Sequence, residues 1–296
     1  MEFEFSKILE QALSWIVSHI DAPLWDITII ILLGTGLFFT ITTGFVQFRL
    51  FPASIREMWF GRATEGNSLT PFQAFATGLA SRVGVGNIGG VATAIALGGE
   101  GAVFWMWVTA FIGMSSAFAE STLAQLFKVQ DKDGSFRGGP AYYIIQGLQS
   151  RCMAVSFAMA LIFTFGFAFN SVQANSIVEA TQNAWNWQGE YVGLALVILT
   201  ALIIFGGIKR IAVISSSLVP MMALFYLIMA VIILGMHTEM IPSVLSNIIK
   251  SAFNFDAAAG GMFGALVSKA MMMGIKRGLF SNEAGMGSAP NAAAAA

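Results

Sequence analysis

In an otherwise apolar stretch, TPFQAFATGLASRVGVGNIGGVATAIALGGEG (residues 70–101), Arg82, Asn87 and the glycines Gly84, Gly86, Gly89 and Gly90 crowd the centre. Glycine allows close backbone approach and weakens a helix. An opened backbone beside an amide side chain offers peptide N–H and C=O groups to ions and to the polar ends of a small molecule. In hydrocarbon such an opening survives only inside protein or along a cavity, because each unpaired amide costs several kcal/mol. The stretch is long enough to cross a bilayer. It therefore reads as an interrupted transmembrane helix and a candidate binding site.

A second cluster repeats this chemistry in GGMFGALVSKAMMMGIKRGLFSNEAGMGSAPN, where Lys276 and Arg277 precede Ser281 and Asn282, with Gly274, Gly278, Gly285 and Gly287 interspersed. Two interrupted helices in corresponding places are what an inverted-topology transporter shows, both facing one site near the midplane. Close helix packing is the competing use of any one glycine. Charge in both clusters favours a site, since an ionised side chain near the bilayer centre costs at least about 2.5 kcal/mol.

Other polar residues carry two readings each. Asn170, Gln173, Asn175 and Ser176 contact a substrate or bond helix to helix, with Asn170 and Gln173 sharing a face. Arg82 and Glu283 form an inner gate, or both snorkel to the cytoplasmic interface. Glu120 is expected to pair with Lys128 or a loop cation rather than to relay protons. Trp105 and Trp107 belong to an interfacial belt or wall an outer vestibule, and Phe263 and Met271 to Met273 are expected to pack.

Composition supplies the frame for these sites. The chain is 56% hydrophobic and 10% charged, against roughly 25% charged in a soluble domain, so the fold class is an all-α polytopic membrane protein. A net charge of −1 gives no sign of nucleic acid, the single Cys152 excludes an internal disulfide framework, and His19 and His237 leave no metal cluster. The acidic start, MEFEFSKILE, shows no removable signal pattern. Residues 3–20 read as an interfacial helix ended by Pro23, and residues 24–45 as the first span. Later spans run over 102–126, 153–180, 191–205 and 211–235, followed by an amphipathic segment at 241–256 and a last span beginning near Gly260. With the N-terminus outside, the inward loops hold Arg49, Arg56, Arg62, Lys128, Lys132, Arg137, Arg151, Lys209 and Arg210, and the outward segments hold Lys7 and Lys250. The two interrupted spans are then antiparallel.

The run GGEGAVFWMWVTAFIG (98–113) resembles the signature of the alanine/glycine:cation symporter family, also called sodium:alanine symporters. VGVGNIGGVATAIALGG before it, GGPAYYI after it and RGLFSNEAGMGSAP near the end resemble family segments in the same order, from about Phe45 onward. The resemblance implies a leucine-transporter-like fold of two inverted five-helix repeats. Residues 1–296 would then form one partial transmembrane domain, with 24–45 an extra N-terminal span, 70–235 the first repeat, 241–256 an outer segment and 260–296 the start of the second repeat. Family members continue past the second interrupted helix, so a C-terminally truncated chain is expected.

The implied function, that of the complete parent, is sodium-coupled symport of a small neutral amino acid, alanine or glycine, into the cell by alternating access. The chain would be multi-pass in a prokaryotic plasma membrane, the inner one where there are two, with its N-terminus outside. Sodium is the coupling ion and no other cofactor is expected. The alternatives are an inactive partial transporter, a passive channel, or a membrane-embedded enzyme, the last weakened because no Ser/His or paired-Asp arrangement lies within the spans. In this reading Gly84, Val85, Gly86 and Asn87 hold the substrate carboxylate at the start of the second half-helix, with Asn170, Gln173, Gly274 and Gly278 as further substrate contacts. Carbonyls of Ala80, Ser81 and Val83 suit sodium, and Asn87 either offers its amide oxygen to the ion or fixes the break by bonding the backbone, resemblance to the GxGN pattern of leucine-transporter-like proteins favouring the former.

Overall fold

The computed structural model describes residues 2–62, 69–132, 134–253 and 263–295. The chain begins with α1 (Glu2–Ile16), a π-helical turn (Val17–Asp21) and α2 (Ala22–Thr42). Pro23 does not end the helix as expected. A prolyl nitrogen has no hydrogen, and its ring collides with the carbonyl four residues earlier. The π turn absorbs both: Ala22 N–H donates to Val17 O, five residues back, and the helix continues. The apolar run Glu10–Thr42 is long enough to cross a bilayer.

Short helices α3 (Val46–Arg49) and α4 (Phe51–Phe60) lead to the interrupted span, which forms as α5 (Pro71–Arg82) and α6 (Val85–Gly98). Its start is fixed by a capping box: Thr70 Oγ1 accepts from Gln73 N–H at 3.2 Å, and Gln73 Oε1 accepts from Thr70 N–H at 3.1 Å. A tight turn leads into α7 (Gly101–Leu126). A two-stranded hairpin, β1 (Val129–Gln130) and β2 (Phe136–Arg137), and α8 (Pro140–Leu148) follow. Next comes a long helix made of α9 (Arg151–Phe163), a second π turn (Thr164–Phe169) and α10 (Asn170–Trp185). Then come α11 (Gly189–Ile204), α12 (Gly207–Met236), α13 (Ile241–Phe253), α14 (Phe263–Asn282) and α15 (Ala289–Ala294). Residues 254–262, which include the end of the expected 241–256 segment and the start of the last span, lie outside the described residues, as does the side chain of Phe263.

Of the four described helices long and apolar enough to span a bilayer, α7 is the most buried. Its small residues Gly101, Ala102, Gly113, Ser115, Ser116 and Ala124 let neighbours approach closely. A chain of hydrogen bonds ties α2 to it. Gln47 Nε2 donates to Thr40 Oγ1 (2.9 Å), Thr40 to Ser115 Oγ (3.0 Å), and Ser115 to the Gly36 carbonyl (2.6 Å). At its other end α13 docks, with Gly101 N–H donating to Ser251 Oγ at 3.1 Å and Trp105 Nε1 to the Ala252 carbonyl at 3.2 Å. Trp105 thus anchors a neighbouring segment, whereas Trp107 is half exposed.

Both interrupted spans also pack on α7. α14 lies against α6 and α7, and α15 against α5 and α7. The half-helices therefore pair head to tail, the first half of one span beside the second half of the other. Gly274 and Gly278 make this possible. A Cβ at 274 would meet the Ala102 carbonyl and lie 2.6 Å from Trp105 Cβ, and one at 278 would lie 3.0 Å from Thr109 Cβ. Forcing a larger side chain into such a contact typically costs about 1–3 kcal/mol. Gly274→Leu should lower the thermal unfolding midpoint of the purified chain, while Gly235→Ala, at a position with open space around it, should leave it unchanged. Equal midpoints for the two variants would contradict this packing.

Candidate functional site

The interruption between α5 and α6 spans two residues. Val83 N–H still bonds the Leu79 carbonyl (2.8 Å), after which Val83 (φ −91°, ψ 84°) and Gly84 (φ −156°, ψ −154°) run extended. The last carbonyls of α5 and the first amides of α6 lose their helical partners there. One such amide is supplied from another helix: Val85 N–H donates to Gln173 Oε1 of α10 at 3.3 Å. A Cβ at Gly84 would sit 3.1 Å from the same Gln173 amide, so the glycine is what lets Gln173 reach the opened backbone.

The second interruption closes differently. α14 ends with Glu283 in the left-handed region (φ 51°), its N–H bonded to the Leu279 carbonyl at 3.0 Å. Glycine usually fills this capping position, and a residue with a Cβ costs roughly 1–2 kcal/mol there. Gly285 (φ 84°) and Gly287 (φ 78°) carry the left-handed turns that follow. Glu120 of α7 accepts the Gly285 N–H at 3.1 Å and is also hydrogen-bonded by the Gly287 backbone. Glu283 is 2% exposed and accepts from Ser288 Oγ at 2.6 Å.

The two interruptions touch. Ser281 Oγ donates to Asn87 Oδ1 at 2.6 Å, and a Cβ on Gly86 would lie 3.3 Å from Ser281 Cα and from the Phe280 ring. Phe280 stacks on Phe169 (4.5 Å between centroids), which stacks on Phe165 (4.6 Å) of the π turn before α10. π turns shift the register of a helix and are frequent at functional sites. Here the turn precedes Asn170, whose Nδ2 bonds the Gly166 carbonyl at 3.1 Å.

A cavity of about 1060 Å³ opens at this junction. Its walls include Ala80, Ser81, Val83, Gly84, Val85 and Asn87 from the first interruption, Asn170, Gln173 and Ser176 from α10, and Glu283 from the second. Phe165, Phe169, Met222 and Tyr226 supply apolar wall. Opened backbone, amide side chains and apolar rings thus surround one space, an arrangement suited to a small zwitterion and a hard cation.

Of the residues expected to bind, Gly84, Val85, Asn87, Asn170, Gln173, Ala80, Ser81 and Val83 line this cavity. The structure places three elsewhere. Gly86 faces Phe280 and Ser281, while Gly274 and Gly278 face α7, so these glycines serve helix contact rather than the cavity wall. Arg82 and Glu283, expected to form a gate, are placed apart. Among the described residues no ion pair joins Arg82 to Glu283. Arg82 lines a separate 190 Å³ cavity with Ala117, Ser121 and Ala289, and Glu283 is bonded by Ser288. Glu120, expected to pair with a loop cation, instead holds the second interruption. Sequence reading missed this because its partners are backbone amides 165 positions away.

A family profile described as the sodium:alanine symporter family matches residues 10–296. An uncharacterized transporter of Haemophilus influenzae is 88% identical over 296 residues, covering 100% of this chain and 62% of its own length. A probable sodium/glutamine symporter of Bacillus subtilis is 48% identical over 97% of this chain and 60% of its own length. A sodium/alanine symporter of Methanococcus maripaludis is 42% identical over 95% and 63%. The chain thus spans about three fifths of the length of these relatives.

The Glu120 contact is testable directly. Leaving a buried donor without its partner costs about 1–3 kcal/mol, so Glu120→Ala should speed amide exchange at Gly285 and Gly287 by about fivefold or more. Glu120→Gln, which keeps an acceptor oxygen, should preserve most of the protection. Hydrogen–deuterium exchange with mass spectrometry reads both variants, and unchanged exchange in the alanine variant would refute the contact.

Proposed function

Because the chain belongs to the sodium:alanine symporter family, we propose that it forms the first repeat and the start of the second in a transporter that couples sodium influx to uptake of a small neutral amino acid, alanine or glycine. The observation that carries this reading is the meeting of two opened helices at one cavity, with the Val85 amide, the carbonyl end of α5 and the side chains of Asn87 and Gln173 on its walls. The head-to-tail packing of α6 with α14 and α5 with α15 supports an inverted pair, as in a leucine-transporter-like fold of two five-helix repeats. In that arrangement 24–45 is the extra span, 70–235 the first repeat and 260–296 the start of the second. The basic loops support an N-terminus outside.

The substrate carboxylate is received at the N-terminus of α6. There the helix dipole is positive and the Val85 N–H, held by Gln173 at 3.3 Å, is released to the ligand as Gln173 moves to contact it. Sodium sits at the carbonyl end of α5, over Ala80, Ser81 and Val83. The Asn87 Oδ1, oriented by Ser281 at 2.6 Å, has a second lone pair for the ion. Sodium at this place neutralises the carbonyl end and favours the conformation that also binds the amino acid, so each ligand raises the affinity of the other. The arrangement works as alternating access when the two interruptions rearrange together, with Arg82, Glu120 and Glu283 closing the side reached through α5 and α15.

The deciding experiment is uptake of labelled alanine into proteoliposomes under an inward sodium gradient, for this chain and for a version extended to the length of its relatives. Concentrative uptake by the extended version is expected; uptake that only equilibrates would remove the symport reading. In that assay Asn87→Ala should raise the half-saturating sodium concentration on the order of tenfold, as loss of an ion-bonding oxygen implies. Ser281→Ala, which removes only the orienting bond, should have a smaller effect.

A further inference from the structure

The charged residues around the main cavity are one-sided. Glu179 of α10 and Glu283 of the second interruption line it, and among its described lining residues there is no lysine, arginine or histidine. Arg82 follows the wall residue Ser81 in sequence, yet its side chain lines the smaller cavity toward Ala289 and Ala293. Glu283 is buried and bonded by Ser288. Glu179 is exposed, and Asn175 Nδ2 holds one of its carboxylate oxygens at 2.9 Å. It stands six residues beyond Gln173, roughly 9 Å along the helix. The stripe Gln173, Ser176, Glu179 and Asn183 gives α10 a polar track that leads along the cavity to the opened backbone. The wall that α12 supplies, Met222, Ala223, Tyr226 and Leu227, is apolar but for the Tyr226 hydroxyl, and a low-dielectric wall focuses the field of a single charge rather than dispersing it.

We propose that Glu179 is the charge-selecting residue of this cavity, drawing in monovalent cations and the ammonium end of a zwitterionic amino acid and turning away ligands with a surplus carboxylate. The proposal rests on reading the cavity as the transport site, and it deepens that reading by assigning substrate charge to one side chain. A neutral amino acid then passes along α10 with its ammonium held toward Glu179 and its carboxylate leading toward the Val85 amide. An acidic amino acid meets net repulsion on the same route.

The field can be measured without transport. In a Cys152→Ser background, which removes the only native thiol, Asn183→Cys places a reporter one helical turn from Glu179, about 6 Å away. The chain in nanodiscs of zwitterionic lipid is then treated with a trimethylammonium methanethiosulfonate or with its sulfonate counterpart. A unit charge at this distance changes reaction rates by about threefold or more even in a largely aqueous setting. The cationic-to-anionic rate ratio should therefore exceed that of a free thiol by at least this factor. It should fall to the free-thiol value with Glu179→Gln, and nearly so in about 1 M potassium chloride, where the screening length is about 3 Å. A ratio unmoved by Glu179→Gln would overturn the assignment and leave the symport reading standing. Failure of the cationic reagent to modify the introduced thiol would also overturn it, because the track would then be closed to cations. If the ratio responds but sodium-driven uptake fails in the extended protein, Glu179 still sets the cavity's charge preference and symport is what falls.

Discussion

Opening a helix in hydrocarbon frees backbone groups that cost several kcal/mol each if left unpaired, and the rest of this structure is arranged around meeting that cost twice. At the first interruption Gln173 takes the Val85 amide. At the second, Glu120 takes the Gly285 amide and Leu279 that of Glu283. Both external partners come from helices outside the interrupted spans, so neither break is stable without its neighbours. Asn87 and Ser281 then bind one break to the other. The polar groups that remain uncommitted at the first break face a cavity, where a ligand can complete them.

The helix that makes this possible is α7. Its small residues admit α2, α14 and α15, and its Glu120 carboxylate reaches the second interruption directly. A side chain at Gly101 would collide with the backbone of Ser251 and Ala252, while one at Gly113 would lie 2.9 Å from Ala284 Cβ. Tight spacing at one end seats α13 and at the middle seats the loop after α14. The Thr40–Ser115–Gly36 bonds hold α2 in the same way, using hydroxyls where an apolar contact alone would not fix register in lipid.

Sequence reading reached the site through local signals. Glycines beside Arg82 and Asn87 in an apolar run cannot form an ordinary lipid-exposed helix, and the structure breaks the span at Val83 and Gly84. The partners of that break were less visible. Gln173 is 88 positions from Val85, and nothing local distinguishes an amide that caps a distant backbone from one that bonds a neighbouring helix. Glycine is ambiguous for the same reason. Gly84 borders the cavity, while Gly86, Gly274 and Gly278 are small so that helices can touch. Spacing along the chain is alike for the two uses, and only the neighbour decides. At Pro23 the expected stop failed because a π turn, which has no plain sequence signature here, realigned the hydrogen bonds ahead of the proline.

The head-to-tail pairing of half-helices has a mechanical consequence. Each interruption is a joint with a rod on either side, and the two joints are bonded together through Asn87 and Ser281. Rods pinned at a shared joint act as levers. The 14-residue α6 is about 21 Å long, so a tilt of about 10° at the joint carries its far end by roughly 4 Å while the pinned end barely moves. Because α14 lies along α6 and α15 along α5, such a tilt swings two rods together on one side of the pivot. The Asn87–Ser281 bond at the pivot would keep its length while the far ends of the rods shift.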